Sequence, residues 1–303
     1  MTTCEVPACP ACGAENYDAL GSADCGEPGL GFEVRRCRTC DLYFKSRRPD
    51  DITLAAVYRS FDVTIHDDPT EIFPPEELIR ERLAVLPAGS RVLDYGCCTG
   101  RFLAPFTQKF SCHGIEPQPA GAAIARQRGV RIIDDDGLAG DFSESFDLIL
   151  MSDVFEHLIS PTATLARLAR ALRPGGSLLL ATGIADAIPH DAHLPEFWYL
   201  QNPYHLIMLS RGHVSWLADR LGLLKADFRQ CHHYQVSVIA GFKQRLRLWA
   251  YGQFHDHTPD RGGWTGLLRL VPKLKDVEAL RVRPTLHLYV DHALVTFTKP
   301  ARF

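Results

Sequence analysis

The sequence holds no run of 18 apolar residues, so no membrane-spanning helix is expected. Its start, Met1-Thr-Thr-Cys-Glu5, lacks a basic region and an apolar stretch. No secretory signal is therefore expected, and the expected compartment is the reducing cytoplasm. Charge of one sign is not in excess: 33 Lys and Arg stand against 36 Asp and Glu, a net charge of −3. That excludes a whole-chain cationic footprint for nucleic acid, though not a local one. Internal repeats and low-complexity tracts are also missing. With 46% apolar and 23% charged residues over 303 positions, the chain suits one large domain, alone or with a small one.

Cysteine is not scarce, and its placement is uneven. Six of the ten cysteines fall within the first 40 residues. In a reducing compartment this favours metal binding over disulfides. Cys9-Pro-Ala-Cys12 and Cys37-Arg-Thr-Cys40 are two Cys-x-x-Cys pairs, each able to offer two thiolates on one tight turn. Together Cys9, Cys12, Cys37 and Cys40 make a closed four-sulfur set of the structural zinc type. A redox pair is the competing reading, but it calls for one pair opening a helix in a βαβ unit. Cys4 and Cys25 have no partner at ligand spacing. We read residues 1–48 as a zinc ribbon, 49–75 as a helical linker or lid and 76–303 as the main domain, with an insertion at 241–283. The first segment is too short to bury a core without a staple.

From residue 76 the pattern alternates between strand and helix. Helices are expected at 76–86, 100–110, 119–128, 161–172 and 211–221, with a capped short helix at 49–60. Short apolar strands are expected at 91–96, 112–116, 130–133, 146–154 and 177–182, with further strands within 226–240 and at 286–298. Alternation of this kind means a parallel sheet covered on both faces, with ligands at the carboxyl ends of its strands. The segment Val92-Leu-Asp94-Tyr-Gly96-Cys97-Cys98-Thr-Gly100 runs from a strand through a glycine-containing turn towards a helix. About twenty residues on, the next strand ends in Glu116, the offset of a ribose-binding acid.

These segments resemble the class I S-adenosylmethionine-dependent methyltransferases. The match continues through Ser145-Phe-Asp-Leu-Ile-Leu-Met-Ser-Asp-Val-Phe-Glu-His-Leu158 and Leu172-Arg-Pro-Gly-Gly-Ser-Leu-Leu-Leu180. The front end is similar to bacterial members with an N-terminal zinc ribbon. The resemblance implies a Rossmann-like α/β fold, with a mostly parallel seven-stranded sheet and helices on both faces. It implies S-adenosylmethionine as cosubstrate, with zinc as the structural ion. Asp94 and Gly96 would line the methionine part, Gly100 would open the following helix, and Glu116 would hold the ribose. Asp134 or Asp135 would sit beside adenine, and Cys97, Phe102, Pro117 and Ser152 would complete the cofactor set. Asp153 and His157 would face the methyl group and the acceptor. His157 is the first candidate base and His205, in the loop expected to cover the sheet edge, the second. Tyr199, Tyr204, His190 and His193 share that loop, while His232 and His233 are assigned to packing.

One departure is plain: Cys98 stands where the middle glycine of the family turn is expected, which predicts crowding or strain there. The expected activity is methyl transfer to a small molecule, at an oxygen of a sugar or secondary metabolite. An RNA methyltransferase gripping nucleic acid through the ribbon is the alternative, and a non-catalytic zinc-binding interaction module is a third. Nucleic acid is disfavoured because residues 1–48 carry six basic against seven acidic residues. The insertion at 241–283, in contrast, has a net charge of +5, with Trp249, Tyr251, Phe254 and Trp264 among its cations. A solvated face is its simplest reading.

Overall fold

The computed structural model describes residues 2–25, 31–65, 67–135, 138, 142–188, 191–235, 237–255, 265–271, 276–279 and 290–301. Five short strands form the front end: β1 (Thr3–Glu5), β2 (Tyr17–Asp24), β3 (Gly31–Cys37), β4 (Tyr43–Lys45) and β5 (Arg47–Pro49). Helix α1 (Asp51–Ser60) follows; the Asp50 carboxylate caps it by accepting the Thr53 N–H at 2.8 Å. Helix α2 (Pro74–Ala84) starts with Pro74 where no N–H is needed, and the Glu76 carboxylate accepts the Phe73 N–H at 3.0 Å.

The main domain then runs β6 (Arg91–Tyr95), β7 (Ser111–Ile115), α3 (Pro119–Gln127), β8 (Arg131–Ile132), β9 (Phe146–Ser152), α4 (Pro161–Ala171) and β10 (Leu172–Gly183). It continues through α5 (Trp198–Gln201), β11 (Ile207–Met208), α6 (Arg211–Leu221), β12 (Leu224–Cys231), α7 (Val238–His255), α8 (Thr265–Leu268) and β13 (His292–Thr298). Seven strands join in the order β12-β13-β10-β9-β6-β7-β8. The five from β10 to β8 are parallel; β13 enters antiparallel between β10 and β12.

Side chains alternate across this sheet and bury both faces. Val92, Leu148, Leu150, Leu179 and Leu294 belong to one apolar layer. Their neighbours Leu93, Ile149, Met151, Leu178, Leu180 and Val295 belong to the other. That second layer also contains Cys9, Cys37, Cys40, Leu42 and Phe44. The front end is thus continuous with the sheet's core. Strand β11 extends the front-end sheet, in the order β11-β4-β3-β2.

One expectation is corrected and two are delimited. Residues 100–110 form turns with a short 3-10 helix at Ala104–Phe106, not a full helix, because Pro105 has no N–H to give the preceding turn. The strand expected within 226–240 ends at Cys231, and α7 begins at Val238. The last strand begins at His292 among the described residues; 286–289 lie outside them, as do His190, Arg261, Trp264, Lys273, Lys275, Arg281 and Arg283. No described helix is long and apolar enough to cross a membrane.

Candidate functional site

The two Cys-x-x-Cys turns are built alike. In the first, Gly13 N–H donates to the Cys9 carbonyl at 2.8 Å; in the second, Asp41 N–H donates to the Cys37 carbonyl at 2.9 Å. Both turns leave through a left-handed residue, Gly13 at φ 75° and Asp41 at φ 60°. Cys9 Sγ lies 3.5 Å from Cys40 Sγ and Cys12 Sγ 3.5 Å from Cys37 Sγ, with all four sulfurs within 4.8 Å of one another. A tetrahedral zinc–thiolate site has sulfurs about 3.8 Å apart, given zinc–sulfur bonds of about 2.3 Å. The cluster therefore fits that ion. A hydrogen bond from Cys40 pulls the Cys9 thiol down to about 5, while burial pushes Cys12 up to about 11. Behind the cluster, buried His213 places Nδ1 2.8 Å from the Cys40 carbonyl, and Ser210 Oγ donates to Asp41.

At the carboxyl ends of β6 and β7 the chain makes a third tight turn. The Ile115 carbonyl accepts both Gly96 N–H (2.9 Å) and Cys97 N–H (3.1 Å), folding the turn across the end of β7. Gly96 has φ 85°, and a Cβ there would stand 2.5 Å from Val154 Cγ2. Only glycine fits that approach. Cys98 keeps the left-handed turn, at φ 49°, despite its side chain. Its N–H donates to Glu116 Oε2 at 2.8 Å, and the Gln118 N–H donates to Oε1 at 2.8 Å. The Glu116 carboxylate is thus clamped across the turn. It keeps further acceptor capacity, since a carboxylate offers about four lone-pair sites. Burial raises the Glu116 pKa, against the pull of those two bonds. Asp94, at the end of β6, is pushed up to about 8 by burial, then by the nearby Glu76 and Glu116 carboxylates. A buried carboxyl among like charges favours a cation beside it, which suits a nucleoside carrying a sulfonium and an ammonium.

The other expected cofactor residues divide. Cys97 Sγ fills the space over Gly114, where a Cβ would come within 2.4 Å of it. The Phe102 ring joins the core with Ile79, Leu83 and Leu103. Asp135 Oδ2 accepts from Arg167 (2.7 Å) and the Tyr95 hydroxyl (3.4 Å), whereas Asp134 is exposed. Gly100 N–H returns to the Cys97 carbonyl, and Pro117 leads from Glu116 into α3.

The segment between α1 and α2 lies on this turn. Val63 is buried, and its carbonyl faces Cys98 Sγ at 3.9 Å. Asp67 accepts from Arg128 at 2.6 and 3.0 Å, and the same guanidinium reaches Thr99 Oγ1 at 2.8 Å. Arg101 donates to the Glu71 carbonyl and pairs with Glu76. The sequence pattern marks 49–75 as a helical linker or lid but singles out none of Val63, Asp67 and Arg128 for the site.

Beyond β9, the expected catalytic residues fall into two groups. Asp153, at φ 51°, donates its N–H to the Ala181 carbonyl and receives the Ser152 hydroxyl at 3.4 Å. Its Oδ1 faces His292 Nε2 at 3.4 Å and His233 Nδ1 at 3.8 Å. Burial works against the Asp153 charge, but His292 and His233 hold its carboxyl well below the usual range. His157 and His205 form the other group, with rings 4.9 Å apart and nearly perpendicular. His157 Nδ1 lies 2.9 Å from the Tyr204 carbonyl. His205 is buried, and burial holds it neutral. Buried Glu156 accepts from Thr182 Oγ1 at 2.9 Å beside them. Phe73, Trp198 and Tyr234 supply an aromatic wall around His233. His233, assigned to packing from the sequence, instead faces Asp153, and His292 carried no assignment; adjacent Asp291-His292 at the mouth of the last strand was the available signal.

Comparison with known proteins agrees with this architecture. A methyltransferase-domain family model matches residues 67–225. The ubiquinone biosynthesis O-methyltransferase of Xanthomonas oryzae pv. oryzae (strain PXO99A) is 33% identical over 105 residues, covering 31% of this chain and 44% of that protein. The protein of that name from Hahella chejuensis is 32% identical over 154 residues, covering 46% of this chain and 60% of its own. The chain thus spans about half the length of the curated relatives it matches. Among solved structures, a chain of the complex between the Haloferax volcanii Trm112 methyltransferase activator and a methyltransferase aligns with a TM-score of 0.52. Identity is 16%, over 82% of this chain and 97% of that one, and the likeness shows the fold. Residues 67–225 are more than half of the 303, and on that match this chain belongs to the methyltransferase-domain family, as a class I S-adenosylmethionine-dependent methyltransferase.

Proposed function

We propose that this chain transfers the methyl group of S-adenosylmethionine to a hydroxyl oxygen of a small molecule, and that Cys9, Cys12, Cys37 and Cys40 hold a structural zinc ion. The observation that carries the reading is the Glu116 carboxylate, fixed by two N–H donors across the glycine turn. A carboxylate so placed accepts vicinal ribose hydroxyls, while Asp94 faces the cationic methionine end. S-adenosylmethionine supplies the activated methyl group; the chain supplies alignment and exclusion of water. The segment held by Asp67 and Arg128 closes the turn from above.

The acceptor hydroxyl must give up a proton. His157 takes that role in our reading. The Tyr204 carbonyl can only accept, so Nδ1 carries the ring proton and Nε2 is left basic. His205 packs against it as a neutral ring, and Asp153 stands at the acceptor edge.

A small acceptor is favoured over RNA by the front-end charges. Arg35 pairs with Glu33, Arg36 with Asp41, Arg38 with Asp18, Arg47 with Glu5 and Arg48 with Asp51. Lys45 is buried and donates to the Asn202 carbonyl at 2.8 Å. The basic side chains of the ribbon are spent within the protein. The oxygen acceptor is the activity named for the curated relatives, and the aromatic wall of Phe73, Trp198 and Tyr234 suits a hydroxylated ring.

The test is release of S-adenosylhomocysteine across a panel of hydroxylated aromatics, with structured RNA as a second arm. Turnover with a hydroxylated ring, falling about 10²- to 10⁴-fold in His157→Ala, supports the reading. Turnover with RNA alone would overturn it.

A further inference from the structure

The last strand opens at His292, just after Asp291, and both side chains are buried. The His292 side chain is fully buried, and its Nε2 meets Asp153 Oδ1 at ion-pair distance without a well-directed hydrogen bond. Asp153 Oδ1, 3.4 Å away, is also buried without one. His233 Nδ1 joins them, 3.8 Å from the same oxygen. We propose that Asp153, His233 and His292 form a site for a divalent first-row transition metal, separate from the four-thiolate cluster.

Three features of the geometry support this. First, the three donor atoms lie within 4.8 Å of one another. Imidazole nitrogens and a carboxylate oxygen on one tetrahedral ion, with bonds of about 2.0–2.1 Å, stand about 3.4 Å apart. The Asp153–His292 pair stands at that separation, and the Asp153–His233 pair is a few tenths of an ångström wider. Second, the far side of His292 is braced. Its Nδ1 lies 3.0 Å from Asp291 Oδ1; with a ring proton held there, Nε2 is the atom that faces the cluster and can give its lone pair to an ion. A carboxylate holding the outer nitrogen of a ligand histidine is the usual second layer of a metal site. Third, Asp291 is itself held. It accepts the Trp198 indole N–H at 3.2 Å and the His233 backbone N–H at 3.1 Å. One carboxylate thereby orients both histidines.

The donor set selects the ion class. Two imidazoles and one carboxylate favour zinc, cobalt, nickel or ferrous iron over magnesium or calcium. Three protein ligands leave at least one position open to an outside oxygen. Asp153 adjoins Val154, which packs on Gly96, so that position lies at the edge where our reading places the acceptor. A hydroxyl bound there is more acidic than in water. The site itself needs no S-adenosylmethionine, so its test stands apart from methyl transfer.

The experiment uses the full chain with its thiolate cluster filled by zinc and zinc content measured by mass spectrometry. Cobalt(II) is then titrated in equilibrium dialysis, with visible absorption recorded. The expected result is one further cobalt per chain, without the intense sulfur-to-cobalt bands of a thiolate site. His233→Ala and Asp153→Asn should each weaken cobalt binding at least about tenfold, and Asp291→Asn about 10- to 100-fold. Unchanged zinc content in each variant reports an intact fold. His233 is partly exposed, so its truncation does not hollow the core. Absence of cobalt beyond the thiolate cluster, or equal binding by wild type and His233→Ala, would overturn the proposal and leave an imidazole–carboxylate cluster only.

Discussion

Cysteines serve two regions of this molecule in opposite ways. In the front end, Cys9, Cys12, Cys37 and Cys40 converge from two turns onto one point. After β6, Cys97 and Cys98 are adjacent yet diverge. Cys97 Sγ fills the core over Gly114, and Cys98 Sγ faces the Val63 carbonyl. Both regions use left-handed residues to complete the turn, Gly13 and Asp41 in one, Gly96 and Cys98 in the other. Convergence, not cysteine content, is what makes a metal site. The turn after β6 instead aims its backbone N–H groups at the Ile115 carbonyl and the Glu116 carboxylate.

The widest separation between the regions should come from Cys37→Ser. Losing a thiolate should release zinc and cost on the order of several kcal/mol. The damage should spread to residues 205–213, because β11 pairs with β4, Ser210 bonds Asp41 and His213 faces Cys40. Zinc content, thermal unfolding and methyl transfer should fall together. Cys97→Ala should lower stability by about 1–3 kcal/mol through the hole it leaves, with zinc retained. Loss of zinc in that variant would break the comparison.

Next in size is the pH response of Asp94. Its folded-state pKa, about 8, lies above the ordinary value of about 3.9, so the folded chain holds this proton more tightly than the unfolded one. The stability it contributes is fully present below about pH 4 and is lost as pH rises through about 8. Asp94→Asn should flatten that decline, by about 1–3 kcal/mol at pH 8, as read from urea midpoints across the range. An unchanged pH profile would contradict the placement of Asp94. Cys98→Gly should relieve the left-handed strain and stabilise the turn by about 1 kcal/mol, with no effect on zinc. Destabilisation would mean that the thiol's contact with Val63 outweighs the strain. Smallest is Asp67→Asn, which removes a partly exposed ion pair worth up to about 1 kcal/mol. It should speed S-adenosylmethionine release by up to about fivefold in stopped flow; an unaltered rate would mean the segment does not gate the turn.

Much of this was legible in the sequence because it is local. Strand and helix periodicity located β6, β7, β9, α3, α4 and α6, and the Cys-x-x-Cys spacing identified residues that the fold brings together. What escaped depends on distant pairing. The helix expected at 100–110 was stopped by Pro105. Ile207–Met208 gave no sign of joining the front-end sheet, because two residues carry no periodicity. His233 and His292, far apart in the chain, meet only because β13 inserts antiparallel beside β12. Asp67 and Arg128 meet only because the α1–α2 segment folds back over α3.

The central claim is that Glu116 holds the ribose of S-adenosylmethionine across the turn after Asp94. Titration calorimetry with S-adenosylmethionine, on the wild-type chain and Glu116→Ala, tests it most directly. The account predicts saturable one-site binding by the wild type, weakened in the variant by about 1.5–3 kcal/mol, the scale of a charged hydrogen bond. Equal affinity in the two proteins, or no binding by the wild type at millimolar ligand, would contradict it.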